Sequence, residues 1–314
     1  MAPPRLARVA AADLDEDEAC ALLHEHGCLV VTGAVPKEAC ASARAYVDAR
    51  LALALAECGS TSTASAPPGY FADTEKHVDA AAYHFGDVLS PPHRRDLKLP
   101  LDPPVRACLR AALRTLGPIL ANVLTNDAEL VELSSLVADF GAENQRLHPD
   151  TPVTAAGFGR HCCLLTAFVA LQDVDCAEMG ATQVCPGTHC AEAHAALNAR
   201  SRDDEAREAL LRAAGFSAPT PALLGAGDAL LMDSRCIHRG GANADAEKRR
   251  RAVLYASFSV PYNAPGGART RSSPTCGTAR ATASRGRKSG ADDENARVGF
   301  VSNGAREVIT SGHT

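Results

Sequence analysis

The 314-residue chain has no tryptophan and only three methionines, and aromatic residues make up 4% of it. Alanine is abundant, so any core must be built mainly from aliphatic side chains. Twelve cysteines are many, yet no C-x-x-C occurs, and the one close pair is the vicinal Cys162-Cys163. Zinc sites and disulfide frameworks need recurring short spacings, so these cysteines read as reduced, small apolar residues. No stretch approaches the ~20 apolar residues of a membrane span, and the opening MAPPRLARVAAADLDEDEAC lacks the apolar segment of a secretory signal. The closing Gly312-His313-Thr314 is no peroxisomal address. Positive charge is not in excess either: the net charge of -5 gives no electrostatic case for nucleic acid or an anionic membrane. A cytoplasmic protein acting on a small molecule is the expectation. Nothing in the sequence specifies an oligomeric state.

What is present is ordinary for a globular chain: 46% hydrophobic and 22% charged residues, and enough length for one large domain or two modest ones. HGCLVVTGAVPKEACASARAYVDARLALALA predicts a short buried strand, a turn and a helix to about Ala56, with Pro36 at its first turn. Gly59 to about Pro104 is polar and irregular, and its His93-Arg94-Arg95 with Lys98 reads as the basic face of a loop. Val105, Leu109, Leu113 and Leu116 then recur at helical spacing. From Glu129 the texture changes. AELVELSSLVADF, LLTAFVALQDV, ATQVCPG, GDALLMD and RAVLYASFSV all look like strands, interrupted by a helical insertion near 192–216. The fold class expected is α+β, a jelly-roll-like barrel braced by N-terminal helices. One domain over 1–262 is expected, with its β core at about 129–260. The Gly-, Ser- and Arg-rich segment 263–314 reads as a flexible tail whose basic residues form a solvated linker.

Two His-x-Asp pairs, His77-Val78-Asp79 and His148-Pro149-Asp150, share a spacing that a metal can use. Proline holds the preceding residue out of the helical region, so His148 should be extended, and residues two apart then project to one side. His77 lies in a stretch that looks helical, where positions two apart diverge by about 200°. The geometry therefore favours His148 and Asp150. A third ligand is suggested by GDALLMDSRCIHRGGAN, a strand followed at once by His238 and a glycine-rich turn. Two histidines and one carboxylate on one face of an ion are the donor set of non-haem Fe(II) oxygenases. A structural zinc site closed by the nearby Cys236 stays open as an alternative.

The ordered run QRLHPDT, FVALQDVDCAEMGATQVCPGTHCAEAH, GDALLMDSRCIHRGGAN and RRRAVLYASF resembles the phytanoyl-CoA dioxygenase family, over about residues 129–260. HGCLVVTGAVPKEAC is similar to the family's N-terminal strand and helix. The resemblance implies a double-stranded β-helix, Fe(II) at His148, Asp150 and His238, and 2-oxoglutarate and O2 as cosubstrates. It further implies hydroxylation of a small-molecule or acyl substrate, with succinate and CO2 released. Related halogenases replace the carboxylate ligand with a small residue, and Asp150 is present here. The family's basic residue beyond the second histidine, which pairs with the far carboxylate of 2-oxoglutarate, has three candidates. Counting from His238 favours Arg249. Anchoring on the strand that carries Phe258 favours Arg251 and a longer loop. Arg251 is preferred, with Arg249 second and Arg250 facing away. His161 and His189 are candidates for the pocket wall, with structural roles favoured for both. A barrel that binds without turnover would lack a ligand or the arginine, and neither is missing. An iron oxygenase that does not use 2-oxoglutarate would be separated by succinate formation.

Overall fold

The computed structural model describes residues 6–58, 84–86, 93–198 and 203–261, and the backbone of three further strands at 280–284, 297–302 and 305–310. His77, and the rest of the tail with its basic side chains, lie outside the described residues. The strands are β1 (Arg8–Ala10), β2 (Cys28–Thr32), β3 (Arg94–Lys98), β4 (Glu129–Ala138), β5 (Leu164–Ala170), β6 (Thr182–Val184), β7 (Thr220–Pro221), β8 (Ala229–Asp233), β9 (His238–Gly240), β10 (Arg251–Ser259), β11 (Arg280–Ser284), β12 (Arg297–Ser302) and β13 (Ala305–Thr310). Among the described residues three helices, α1 (Glu16–His26), α2 (Lys37–Cys58) and α3 (Pro103–Val123), precede the β core, and α4 (Ala191–Asn198) and α5 (Asp204–Ala213) interrupt it.

The large sheet runs β1-β2-β8-β5-β10-β4-β11-β12-β13, with β3 also on β4; the small sheet is β7-β6-β9. Every residue of β10 is buried, so the strand is covered on both faces. Ala252, Leu254, Ala256 and Phe258 point into the core under α1 to α3. Val253 and Tyr255 point the other way, into a second core with Phe168, Met232 and Val184 of β6. The result is a jelly-roll core of two facing sheets with helices on the outer face. Among the described residues the sheets do not close into a hydrogen-bonded barrel.

Local sequence explains the bracing. α3 follows Asp102 with Pro103 at its start, and Leu109, Leu113, Leu116 and Leu120 are all buried. Burial of each such side chain contributes about 1.5–3 kcal/mol. α1 is capped by Asp15, whose carboxylate accepts from the Glu18 amide at 2.8 Å. It ends at Gly27 in the left-handed region, φ 69°. A Cβ there would stand 2.4 Å from the Cys236 sulfur and 2.6 Å from the His189 ring, so glycine is required twice over. No helix among the described residues is long and apolar enough to cross a membrane.

Three differences from the sequence expectations matter. The basic loop face is instead β3, with Arg94 and Asp96 buried and only His93 exposed. Its inward alternation is written in charged residues, which a hydrophobic pattern cannot register. The helical insertion is two helices, α4 and α5. The segment expected to lack regular structure carries β11 to β13, joined to β4 through the pair Thr282–Glu129.

Candidate metal centre

His148 and His238 face each other across an antiparallel bridge, with amide-to-carbonyl hydrogen bonds of 3.0 and 2.9 Å in the two directions. Directly opposed residues in such a pair project their side chains to one face. The two rings accordingly lie 4.5 Å apart, centre to centre. Asp150 turns back over them, held by the amides of Asp150 and Thr151, which both donate to the Ser234 carbonyl at 2.8 and 2.9 Å. Its carboxylate stands 3.7 Å from His148 Nε2 and 3.8 Å from His238 Nε2. One ligand atom from each residue can thus be chosen with all three within 4.8 Å of one another.

The tautomers follow from the partners. His148 Nδ1 meets the Arg146 carbonyl at 2.6 Å, and His238 Nδ1 meets the Cys236 carbonyl at 3.0 Å. A carbonyl only accepts, so Nδ1 carries the proton in both rings and each Nε2 presents its lone pair to the centre. Burial and the neighbouring His238 push His148 below the usual imidazole range, which favours the neutral, ligating form. On the reverse face Leu147 and Ile237 bury against Ala193, Leu197 and Leu211 of α4 and α5. The inserted helices therefore clamp the strand pair that carries the histidines.

The centre opens on a cavity of about 530 Å³, walled by Leu136, Leu164, Phe158, Phe168 and Pro152 with Tyr255, Thr166, Ser257 and Glu132. Arg251 on β10 and Arg94 on β3 both pair in register with Ala138, on either side of β4. They therefore share a face of the sheet. Arg251 is 1% exposed, and all three of its guanidinium nitrogens lack a hydrogen-bond partner. Arg94 donates to the carbonyls of Glu143 and Gly241 at 3.1 and 2.5 Å but leaves Nε and Nη1 unpaired. Burial lowers Arg94 to about 10, and burial together with Arg94 lowers Arg251 to about 9. Two adjacent buried cations with idle donors call for an anion, and a carboxylate matches the guanidinium fork. Gly240 lets Arg94 close in, since a Cβ there would stand 2.5 Å from Arg94 Nη1 and 2.7 Å from Gln145 Oε1.

The neighbouring arginines are already occupied. Arg249 donates to both Asp175 oxygens at 3.1 Å and to Asp245 at 2.9 and 3.0 Å, and these carboxylates raise its pKa further. Arg250 donates to Asp139 at 2.5 Å and Asp48 at 3.2 Å. Cys236 does not join the ligand group; it packs in the inner core, its sulfur 3.7 Å from the His26 carbonyl. His161 is exposed and off the cavity wall. His189 binds the His24 carbonyl at 2.9 Å, while Thr188 of the same PGTH turn accepts from the Ile237 amide at 2.9 Å and so braces β9. Sequence reasoning placed Arg94 on a loop face in preference to a basic rim for an anion, and it missed His194, which accepts from the Val153 amide and donates to the Arg235 carbonyl, both at 2.8 Å. That bridge ties the segment after Asp150 to the turn before β9. Its only sequence signal is a histidine in the insertion.

Comparison with known proteins adds three findings. The family model described as phytanoyl-CoA dioxygenase (PhyH) matches residues 23–252. The multifunctional dioxygenase prhA of Penicillium brasilianum is 26% identical over 260 residues, covering 82% of this chain and 76% of prhA. Among solved structures, HygX from Streptomyces hygroscopicus, with nickel and 2-oxoglutarate bound, superposes with a TM-score of 0.51 at 18% identity, over 78% of this chain and 87% of HygX. AviO1 from Streptomyces viridochromogenes Tue57 gives 0.50 at 19% identity, over 81% of this chain and 99% of AviO1. These two likenesses speak for the fold.

Proposed function

That the chain belongs to the phytanoyl-CoA dioxygenase family, whose model spans residues 23–252, is the premise from which we propose what its site does. The protein is an Fe(II)- and 2-oxoglutarate-dependent dioxygenase. In our reading His148, Asp150 and His238 hold the iron, Arg251 holds the far carboxylate of 2-oxoglutarate, and the reaction hydroxylates a small-molecule or acyl substrate seated in the cavity. The observation that carries this is the pairing of one open-faced donor set with a buried guanidinium that has no partner.

The donor set fits the metal: two neutral imidazole nitrogens and a carboxylate, with no thiolate in the group. When bound, iron with 2-oxoglutarate and dioxygen supplies the oxidising chemistry, in which 2-oxoglutarate becomes succinate and CO2 and one oxygen atom enters the substrate. The chain supplies position and environment. The Arg146 and Cys236 carbonyls fix the rings, and Asp150 offers negative charge to a cation. Arg251 and Arg94 offer idle donors to a dianion in a dry setting, where a charge-assisted pair is far stronger than at a surface. Leu136, Leu164 and Phe168 keep that setting apolar.

Anaerobic titration with Fe(II) and then 2-oxoglutarate tests the assignment by calorimetry and visible absorption. One metal and one 2-oxoglutarate per chain are expected, followed by slow succinate release on admission of oxygen. Metal binding without any 2-oxoglutarate affinity would leave the two arginines unexplained and sink the reading.

A further inference from the structure

Glu132 is a carboxylate in the cavity wall that the iron and 2-oxoglutarate chemistry does not use. Its backbone pairs with Ser257, which pairs in turn with Thr166, so the three side chains stand in one row across β4, β10 and β5. Ser257 Oγ donates to Glu132 Oε2 at 2.8 Å. Its single proton is then spent, so in its 3.0 Å contact with Thr166 Oγ1 it accepts. The hydroxyl chain thus runs Thr166 to Ser257 to Glu132 and ends on an acceptor. Among the described residues Glu132 makes no ion pair, and Ser257 is its one hydrogen-bond donor; neither lysine nor arginine lines the cavity.

The register gives the cavity face of the large sheet a direction. At the level of Ala138 stand Arg94 and Arg251; at the level of Leu136 stands Asp96; and six residues from Ala138 along β4, roughly 20 Å at the usual rise, stands Glu132. Positive charge occupies the end suited to a dicarboxylate, and negative charge occupies the other. A bulge marks that second end: Ser257 opposes Glu132, but Phe258 opposes Leu130, so Val131 is extra. The extra residue lets Leu130 join the core under the helices while Glu132 keeps its place at the cavity. The protein atoms crowded around the cavity and the Asp150 charge push the Glu132 carboxyl above its usual range, against the lowering effect of the Ser257 hydrogen bond, although the side chain itself is open to the cavity. Glu132 is exposed to the open cavity, and its carboxylate faces that space with one hydroxyl donor and no cation beside it.

We infer that Glu132 is a specificity-determining residue, and that the substrate presents an ammonium group to it, at the end of the sheet face opposite Arg94 and Arg251. The inference rests on the dioxygenase reading of the site and narrows its substrate class to amines that fit about 530 Å³ with apolar flanks. A group carrying negative charge is disfavoured at that end.

The test uses the full chain loaded with Ni(II) and 2-oxoglutarate, titrated calorimetrically with benzylamine, phenethylamine and glucosamine, each beside its N-acetyl derivative, and with phenylacetate. At least one amine should bind roughly tenfold or more tighter than its acetylated partner, as expected for a charge pair in a partly desolvated site. Glu132→Gln should erase that preference, and Glu132→Lys should shift it toward phenylacetate. Nickel and 2-oxoglutarate affinities and thermal melts of each variant are read alongside. Failure of the wild-type chain to load would fell the dioxygenase reading. Normal loading with no amine preference, or a preference that survives Glu132→Gln, would fell this inference alone.

Discussion

Arg249 and Arg251 stand two residues apart, and the fold treats them in opposite ways. Arg249 lies at the surface inside a cage of carboxylates from Asp175 and Asp245. Arg251 lies in the interior with none. The histidines divide in the same manner: His194 uses both ring nitrogens on backbone groups, whereas His148 and His238 each use one and keep the other idle. A saturated polar group maintains structure. A buried group kept short of partners marks where a ligand is to complete the bonding, because the protein bears its desolvation until something binds.

The contrast can be broken first at the histidines. His238→Ala should abolish metal binding. His194→Ala should leave the ligand atoms in place and lower stability by about 1–3 kcal/mol, through the Val153 amide and Arg235 carbonyl left unpaired. Metal titration and urea unfolding of both variants read the two effects separately, and equal loss of metal would place His194 among the determinants of the centre.

The arginines give the next largest effect. Arg251→Met should weaken 2-oxoglutarate by about 2–5 kcal/mol while leaving metal binding nearly intact. The ligand-free protein should become more stable, by on the order of 1–4 kcal/mol, since a buried charge without a counter-ion is removed. A fall in ligand-free stability would show that an unseen partner neutralises Arg251. Arg249→Met, by contrast, should cost no more than about 1 kcal/mol, because exposed ion pairs are weak, and should leave cosubstrate affinity unchanged.

Asp96 carries the comparison to an acid. Its carboxyl, 6% exposed and hydrogen-bonded by Tyr255, is raised by burial to about 7 from an ordinary 3.8. Between those values the folded state holds a proton that the unfolded state has released. Stability attributable to Asp96 therefore falls as pH rises from about 4 to about 7, and levels off above. Asp96→Asn should flatten that slope, with a difference from wild type of at most about 4 kcal/mol across the range. Parallel slopes for the two proteins in urea unfolding at several pH values would overturn the assignment.

The convergence of His148, Asp150 and His238 and the strands around them were legible because each has a local cause: a proline that extends His148, a histidine at the end of an apolar strand, and alternation along RAVLYASFSV. Arg251 was legible only to within the register, since three consecutive arginines look alike until the sheet decides which one faces inward. β3 was not legible. Arg94 and Asp96 alternate as a strand does, but charged residues two apart read as a solvated loop unless the facing cavity is known. Glu132 was hidden differently. In ELVELSSLVADF it has the look of the wet side of an amphipathic strand, and exposed it is; only the second sheet, brought opposite it from residues 182–240, makes the space it faces a cavity.

The extra residue in β4 has a consequence for how such a protein can diverge. Pairing register, and not only side-chain identity, sets which residues of β4 beyond Glu132 face the cavity. Pairing Val131 into the ladder opposite Phe258 would restore unbroken alternation and hand Leu130 to the wall beyond Glu132, while the rows holding Tyr255, Asp96, Arg94 and Arg251 kept their phase. Register changes near that end of the strand can therefore rewrite what the cavity accepts without disturbing how it oxidises, so that one half of a single strand is open to drift and the other half is not.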